Sequence, residues 1–409
     1  MTETVELLEL TVGAVAAGGS CVARTEAGQV VFVRHALPGE RVRARVTSST
    51  TSFLRADAVE ILDASVDRVE PPCPYAGAGR CGGCDWQHVA LARQRLLKAE
   101  LVAEQLRRLA GVERAVVVEA VPGDEEGLRW RTRVQFGVQA DGRAGLHRHR
   151  SHELELIDRC AIAVPAVTEV GAERVSWPGA RAVEVVTAGD QRVVHVTGRR
   201  VQLPEVAAGV VIDGRPVRVP HGVRHVVGGR AFEVAAGGFW QVHPGAAAVL
   251  AEAVLDGLDP QPGERALDLY AGAGLFSALL ADRVGPTGSV IAVEADRVAT
   301  ADAARNTFDQ PQVKVLTAPV DATLLARRVG RPHLVVLDPP RAGAGVEVSR
   351  ALVALRPRNI AYVACDPASF ARDLKVFLDA GWRLGSLQAY DLFPMTEHVE
   401  LVAVLAPGD

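Results

Sequence analysis

Residues 360–370, IAYVACDPASF, run from apolar strand-like residues into Cys365 and then into a helix-like pattern through Leu374. A buried thiol is by default a small hydrophobe. At the carboxyl end of a parallel strand it is placed to act as a nucleophile, because open α/β sheets bind ligands outside those ends. The helix that follows would favour the thiolate over a free thiol of pKa ~8.5. Asp366 next door opposes it by charge, and could instead hydrogen-bond a pyrimidine ring edge. Further on, DLFPMTEHVELVAVL offers Glu397, His398 and Glu400 as proton acceptors just before a last strand. Spacing alone does not choose among the three.

A second group of residues shapes a nucleotide-type site. ALDLYAGAGLFS puts Asp268 late in a buried strand and Gly272 and Gly274 in the turn to a helix, where glycines let the backbone approach a ligand. As G-x-G-x-x-S it is a weak match to the dinucleotide fingerprint. Glu294 ends the next strand and suits the hydroxyls of a ribose. NAD and S-adenosylmethionine both fit to this point, as does a plain packing turn. VVLDPPRAG then places Asp338 and two stiffening prolines at a later strand end. That loop has no role in hydride transfer and suits a wall beside a methyl donor, so S-adenosylmethionine is favoured. Asp321, one strand earlier, is placed to contact the adenine side. A thiolate facing a methyl donor suggests one reaction. Addition to C6 of a pyrimidine makes C5 nucleophilic, C5 takes the methyl group, a base removes the C5 proton and the thiolate leaves.

Cys73, Cys81, Cys84 and Cys160 are spaced C-x7-C-x2-C-x75-C. Four thiolates suit zinc or an iron–sulfur cluster, and the spacing leaves both open beside a simple reduced dithiol. Cys21 falls in a strand and reads as packing.

The elements that must position these residues divide the 409-residue chain in three. Residues 1–62 show short alternating apolar runs with turns, which predicts about five strands and a small β-barrel. Residues 63–88 are irregular. A helix is expected from about Leu91 to Leu109, with apolar positions Leu96, Leu97, Leu101, Val102 and Leu106. Residues 115–235 read as a run of strands. From about residue 244, strands alternate with helices, which predicts a doubly wound, Rossmann-like parallel sheet. The expected domains are 1–63 (barrel), 64–240 (β-rich centre with the cysteines) and 241–409 (α/β). GLRWRTRVQFGVQADGRAGLHRHR (127–150) carries six arginines and one acid. With Trp130 and Phe136 it suits phosphate contacts and base stacking, or merely a solvated charged face. A target base must leave its stack for the thiol to reach it.

The net charge of −4 argues against a strong nonspecific polyanion binder. Only three of 45 basic residues are lysines, which reflects arginine-favouring base composition rather than an RNA signal. No apolar run is long enough for a transmembrane helix, and MTETVELLEL lacks the plan of a signal peptide. A cytoplasmic monomer is expected.

With these residues in hand, the chain resembles the RNA uracil-C5 methyltransferases that carry a TRAM domain and a [4Fe–4S] cluster, the 23S rRNA enzymes and their tRNA relatives. FVRHALPGERV looks like the TRAM signature and PPCPYAGAGRCGGCDWQH with Cys160 like the cluster motif. GGFWQVHP, DLYAGAGLFS, VEAD, LDPPRAG, YVACDPASFARDL and HVE match the catalytic motifs in order. The resemblance implies donor contacts at Gln241, Tyr270, Glu294, Asp321 and Asp338, a nucleophile at Cys365 and a proton-abstracting base at Glu400. It favours iron–sulfur over zinc, and an RNA substrate with a flipped-out uridine. Leu275 stands where the family often has a polar residue. His243 and Asp366 replace usual asparagines, and Met395 replaces a usual polar residue. Two other readings stay open: an RNA-binding TRAM protein with an inactive methyltransferase fold, and an amino-group methyltransferase that uses Asp-Pro-Pro without covalent catalysis.

Overall fold

The computed structural model describes residues 7–408; the first six, on which part of the barrel and leader readings fall, lie outside the described residues. β1 (Leu7–Thr11), β2 (Cys21–Arg24), β3 (Val30–Arg34), β4 (Arg41–Ser49) and β5 (Phe53–Asp63) pair in the order β1-β4-β5-β3-β2. Backbone bonds just after β1 close the circle onto β2: Gly13 N–H donates to Val22 O (2.7 Å) and Val22 N–H to Ala14 O (2.9 Å). Alternation along the strands sends Leu10, Val31, Val33, Val42, Ala44 and Leu54 inward, where they fill a small barrel. Cys21 is fully buried and donates from Sγ to Ala36 O (3.3 Å), as its packing role required. Buried Glu40 then ties the outgoing linker down by accepting from the Arg68 guanidinium (2.6 and 2.7 Å) and from Ser65 N–H (3.1 Å).

Helix α1 (Leu91–Gln105) continues into one wide turn, 106–110, that ends at Gly111. It buries Leu97, Leu101 and Val102, but Leu96, expected on the same face, points to solvent. Polar Gln94 and Lys98 take inward places instead. Strand β6 (Val118–Ala120) follows and is an edge strand of the C-terminal sheet. Residues 91–120 therefore pack with the C-terminal body, not with the central one as expected. Leu106, Ala110 and Val118 share a hydrophobic core with the parallel strands described below.

The central sheet contains β7 (Arg133–Val138), β8 (Ala144–His147), β9 (Leu154–Glu155), β10 (Ala180–Ala188), β11 (Gln191–Gly198), β12 (Gly209–Ile212) and β13 (Arg215–Arg218). Its order is β13-β12-β11-β10-β7-β8-β9, with helix α2 (Pro165–Val170) packed on it. The hairpin β14 (Gly222–Val227) and β15 (Arg230–Ala235) also departs from the expected boundary. Its Val227, Phe232 and Val234 lie in the C-terminal core.

The C-terminal part alternates helix and strand as expected: α3 (Ala246–Leu258), β16 (Arg265–Leu269), α4 (Leu275–Val284), β17 (Ser289–Glu294), α5 (Arg297–Asn306), β18 (Val313–Thr317), α6 (Ala322–Arg328), β19 (Leu334–Leu337), α7 (Val346–Leu355), β20 (Asn359–Ala364), α8 (Pro367–Asp379), β21 (Trp382–Asp391) and β22 (Glu400–Pro407). The sheet order is β18-β17-β16-β19-β20-β22-β21-β6. Helices cover both faces, so β19 and β20 are almost wholly buried and read as unbroken apolar runs. The winding direction reverses between β16 and β19, and such a switch point opens a crevice at the carboxyl ends of the strands. Among the described residues no helix is long and apolar enough to cross a membrane.

Candidate active site

Strand register lines the expected site residues up along that one edge. Leu269 pairs with Val293 on one side and Leu337 on the other, so Tyr270, Glu294 and Asp338 emerge next to one another. Tyr270 turns the chain with φ of 61°, a conformation side-chain-bearing residues rarely adopt. Gly274, at φ +86°, sits where a Cβ would lie 3.2 Å from Ala303. Both oxygens of Glu294 accept backbone bonds, from Gly272 N–H (3.0 Å) and Asp296 N–H (2.8 Å), which locks the acid beneath the glycine turn. Gln241 is half-buried just before α3. Asp321 is exposed and caps α6 by accepting from Leu324 N–H (2.7 Å). Asp268 lies under the turn, accepting from Ser277 Oγ at 2.5 Å with its other oxygen unpartnered. Burial pushes its carboxyl up to about 7.

The acceptor side follows from the next two pairings. Ala364 of β20 opposes Leu401 of antiparallel β22, so Cys365 and Glu400 continue the ladder as neighbours. Burial, then the charges of Glu400 and Asp338, pushes the Cys365 thiol up to about 12; Arg341 pulls the other way. Burial and Asp338 likewise hold Glu400 well above the usual carboxylate range. Burial raises Asp338 to about 7. Burial and mutual charge thus favour the neutral forms of thiol and acids, and Arg341 opposes this at both Cys365 and Glu400. The neighbouring acid and imidazole have other partners. Burial and Arg341 bring His398 down to about 4, so its neutral ring accepts from Arg341 Nη2 (3.1 Å). Its Nδ1 lies 3.6 Å from Glu397. Arg341 was missed in the sequence, although its place in LDPPRAG was a signal. The loop beyond it is held by Asp373 of α8, whose Oδ2 accepts from Tyr362 Oη (2.7 Å), Ala344 N–H (2.8 Å) and Gly345 N–H (3.1 Å).

Two of the comparisons describe domains: a TRAM domain matches residues 2–59, and tRNA (Uracil-5-)-methyltransferase matches residues 331–406. An uncharacterized RNA methyltransferase of Streptomyces avermitilis is 51% identical over 428 residues, covering 98% of this chain and 99% of its own. Another, of Bdellovibrio bacteriovorus, is 33% identical over 406 residues, covering 97% and 94%. The chain belongs to the RNA methyltransferase family of these relatives. The crystal structure of Pyrococcus abyssi tRNA (uracil-54, C5)-methyltransferase in complex with S-adenosyl-L-homocysteine matches with a TM-score of 0.74. It covers 98% of this chain and 100% of its own at 22% identity, so the fold is shared throughout.

For this RNA methyltransferase, three of the four departures from the family pattern, His243, Met395 and Asp366, have defined structural partners. His243 is buried; Gly245 N–H donates to its Nδ1 (3.1 Å), which leaves Nε2 to donate to Asp124 (3.3 Å). It also stacks on Trp130. Met395, at φ 66°, exchanges backbone bonds with the cysteine loop and α1: Trp86 N–H donates to its carbonyl (3.0 Å), and its own N–H donates to Gln94 Oε1 (2.8 Å). Asp366 caps α8 by accepting from Ser369 N–H (2.7 Å). That capping role fits an acid as well as an amide.

Cys73, Cys81, Cys84 and Cys160 come together despite their separation, lining one cavity of ≈ 290 Å³ with all four thiols free. Burial and the neighbouring sulfurs raise Cys84 and lift Cys81 to about 11. Among the described residues no group of three or more His, Cys, Asp or Glu side chains is disposed to hold a metal ion, so the cavity gathers the four thiols without closing them into a ligand set.

The arginine-rich segment is less open than expected. Trp130 and Phe136 are core residues and offer no stacking face. Arg129 pairs with Glu126, Arg133 with Glu184, Arg143 with Asp141, and Arg148 with Glu153 and Glu155. The acids come largely from outside the segment, which is why the local sequence looked basic.

Proposed function

We propose that the chain methylates C5 of a uracil in RNA with S-adenosylmethionine as donor, through a bond between Cys365 and C6. The observation that carries this reading is the register that sets Cys365 beside Glu400 across β20 and β22. Cys365 loses its proton to solvent, with Arg341 favouring the thiolate, and Glu400 enters the cycle as the carboxylate so that it is free to take the C5 proton later. The thiolate adds to C6 and the electron pair moves to C5 and the O4 carbonyl as an enolate. C5 takes the methyl group as the donor's sulfonium becomes a thioether. Glu400 removes the C5 proton, the C5–C6 double bond re-forms and Cys365 leaves as thiolate. Gln241, Tyr270, Gly272, Gly274, Glu294, Asp321 and Asp338 hold the donor on the β16–β19 side. Cys73, Cys81, Cys84 and Cys160, half-buried around one cavity, are the residues that would hold a [4Fe–4S] cluster, which would supply a rigid staple between the cysteine loop and the central sheet.

Incubation with methyl-labelled S-adenosylmethionine and unmodified rRNA or tRNA, followed by nucleoside mass spectrometry, should place the label in 5-methyluridine. The two RNA pools of a deletion strain identify which RNA lacks it. Label in an N-methyl nucleoside would support the amino-group reading instead, and no label at all would support an inactive fold.

A further inference from the structure

Cys365 opens into a cavity of ≈ 320 Å³ whose wall comes from three distant parts of the chain. Arg341, Asp366, Glu397 and His398 come from the catalytic loops, and Leu101 and Gln105 from α1. The barrel contributes Ala17 and Gly18 to it.

These two residues are the centre of a tight turn between β1 and β2. Gly19 N–H donates to Ala16 O (3.1 Å), and Gly18 has φ of +90°. Positive φ at the third position is what a type II turn requires and glycine supplies. The turn is fixed from behind. Trp86 Nε1 donates to Gly19 O (3.1 Å), and a Cβ on Gly19 would lie 2.9 Å from Glu397 Cβ. The barrel thus docks directly on Glu397, the residue just before the HVE segment. Ala17 and Gly18 themselves are exposed. Among the described residues, no protein group bonds their N–H or C=O groups.

We propose that the β1–β2 turn of the barrel is a wall of the acceptor pocket, and that the backbone at Ala17–Gly18 contacts the flipped pyrimidine nucleotide that Cys365 attacks. The proposal rests on the RNA uracil reading above and adds a component to it. The barrel is then part of the catalytic pocket as well as an RNA grip. Unpaired peptide groups next to the reacting base supply both hydrogen-bonding directions a nucleotide can use. A flipped base also needs a snug enclosure, which the two catalytic loops alone leave open on the barrel side.

The test is Ala17→Trp in the full-length protein, with Ala17→Leu as a milder variant should the first fail to fold. Ala17 is exposed, so both should keep the wild-type unfolding midpoint and the wild-type affinity for S-adenosylmethionine by calorimetry. Methyl transfer and the rate of adduct formation with a 5-fluorouracil-containing RNA should both fall by roughly 10- to 100-fold, because small misplacements of a reacting group are that costly. Gly18→Ala, strained at its φ, should fall in the same direction. Unchanged kcat/KM in a folded Ala17 variant would overturn the proposal while wild-type 5-methyluridine formation left the parent reading intact. Wild-type protein that forms no 5-methyluridine would remove both.

Discussion

At the scale of single residues, the site is a set of groups whose protonation depends on their neighbours. Cys365→Ala should abolish methyl transfer, measured as 5-methyluridine formed. Glu400→Gln should stop the reaction one step later, after methyl transfer and before elimination, and so accumulate a protein–RNA adduct that survives a denaturing gel. A freely turning-over Cys365→Ala protein would rule out the covalent route. Asp268 permits a separate test of stability. Its folded-state pKa, about 7, is raised from an ordinary 3.8, so the folded state binds the extra proton. Its contribution is fully present below pH 3.8 and is lost as pH rises through about 7. Asp268→Asn keeps a partner for Ser277 but has nothing to titrate. Urea unfolding should therefore show the variant gaining on wild type between pH 4 and 8, by an amount on the order of a few kcal/mol.

At the scale of elements, α1 is the piece that joins the halves. Lys98 on its inner face donates to Asp391 (2.5 Å) at the end of β21 and to Phe393 O (3.0 Å), with both charged groups buried. Arg95 lies 3.5 Å from the same acid. Removing the ammonium leaves a buried carboxylate with only that distant support. Lys98→Met should therefore cost about 3 kcal/mol in denaturant unfolding. Lys98→Met combined with Asp391→Leu should recover most of it, because no unpaired charge remains. The second result separates an ion-pair effect from a packing one.

At the scale of the whole molecule, the cysteine cavity and the catalytic crevice are tied by the same short segments. Trp86, two residues after Cys84, reaches the barrel turn through its indole and Met395 through its backbone. Anaerobically purified protein should be brown and contain iron and acid-labile sulfide. Cys84→Ser should be colourless and unfold at a lower temperature, because cluster binding contributes to folding. A colourless wild-type protein carrying zinc would reject the cluster.

Much of this could be read from the chain alone. Motif order, the βα alternation after residue 244, the glycine turn and the thiol at a strand end are local patterns, and local patterns persist in sequence. What the sequence could not supply was pairing between distant segments. The resemblance named Glu400 over Glu397 and His398, but that Glu400 lies beside Cys365 depends on which residue opposes Ala364 and its successor across a ladder. The placing of 91–120 depends on a three-residue strand finding an edge of the C-terminal sheet. The burial of Trp130 and Phe136, and the pairing of Arg133 with Glu184, depend on surfaces that meet only in the folded chain. Asp366, which the sequence offered as a contact to the ring edge, is the N-cap of the helix that starts behind it. The sequence by itself determined the motif residues and their order, since side-chain type and spacing are written in the chain. Only the tertiary structure decided which groups share a site, because proximity between distant segments comes from packing and strand register and leaves no mark in the order of residues.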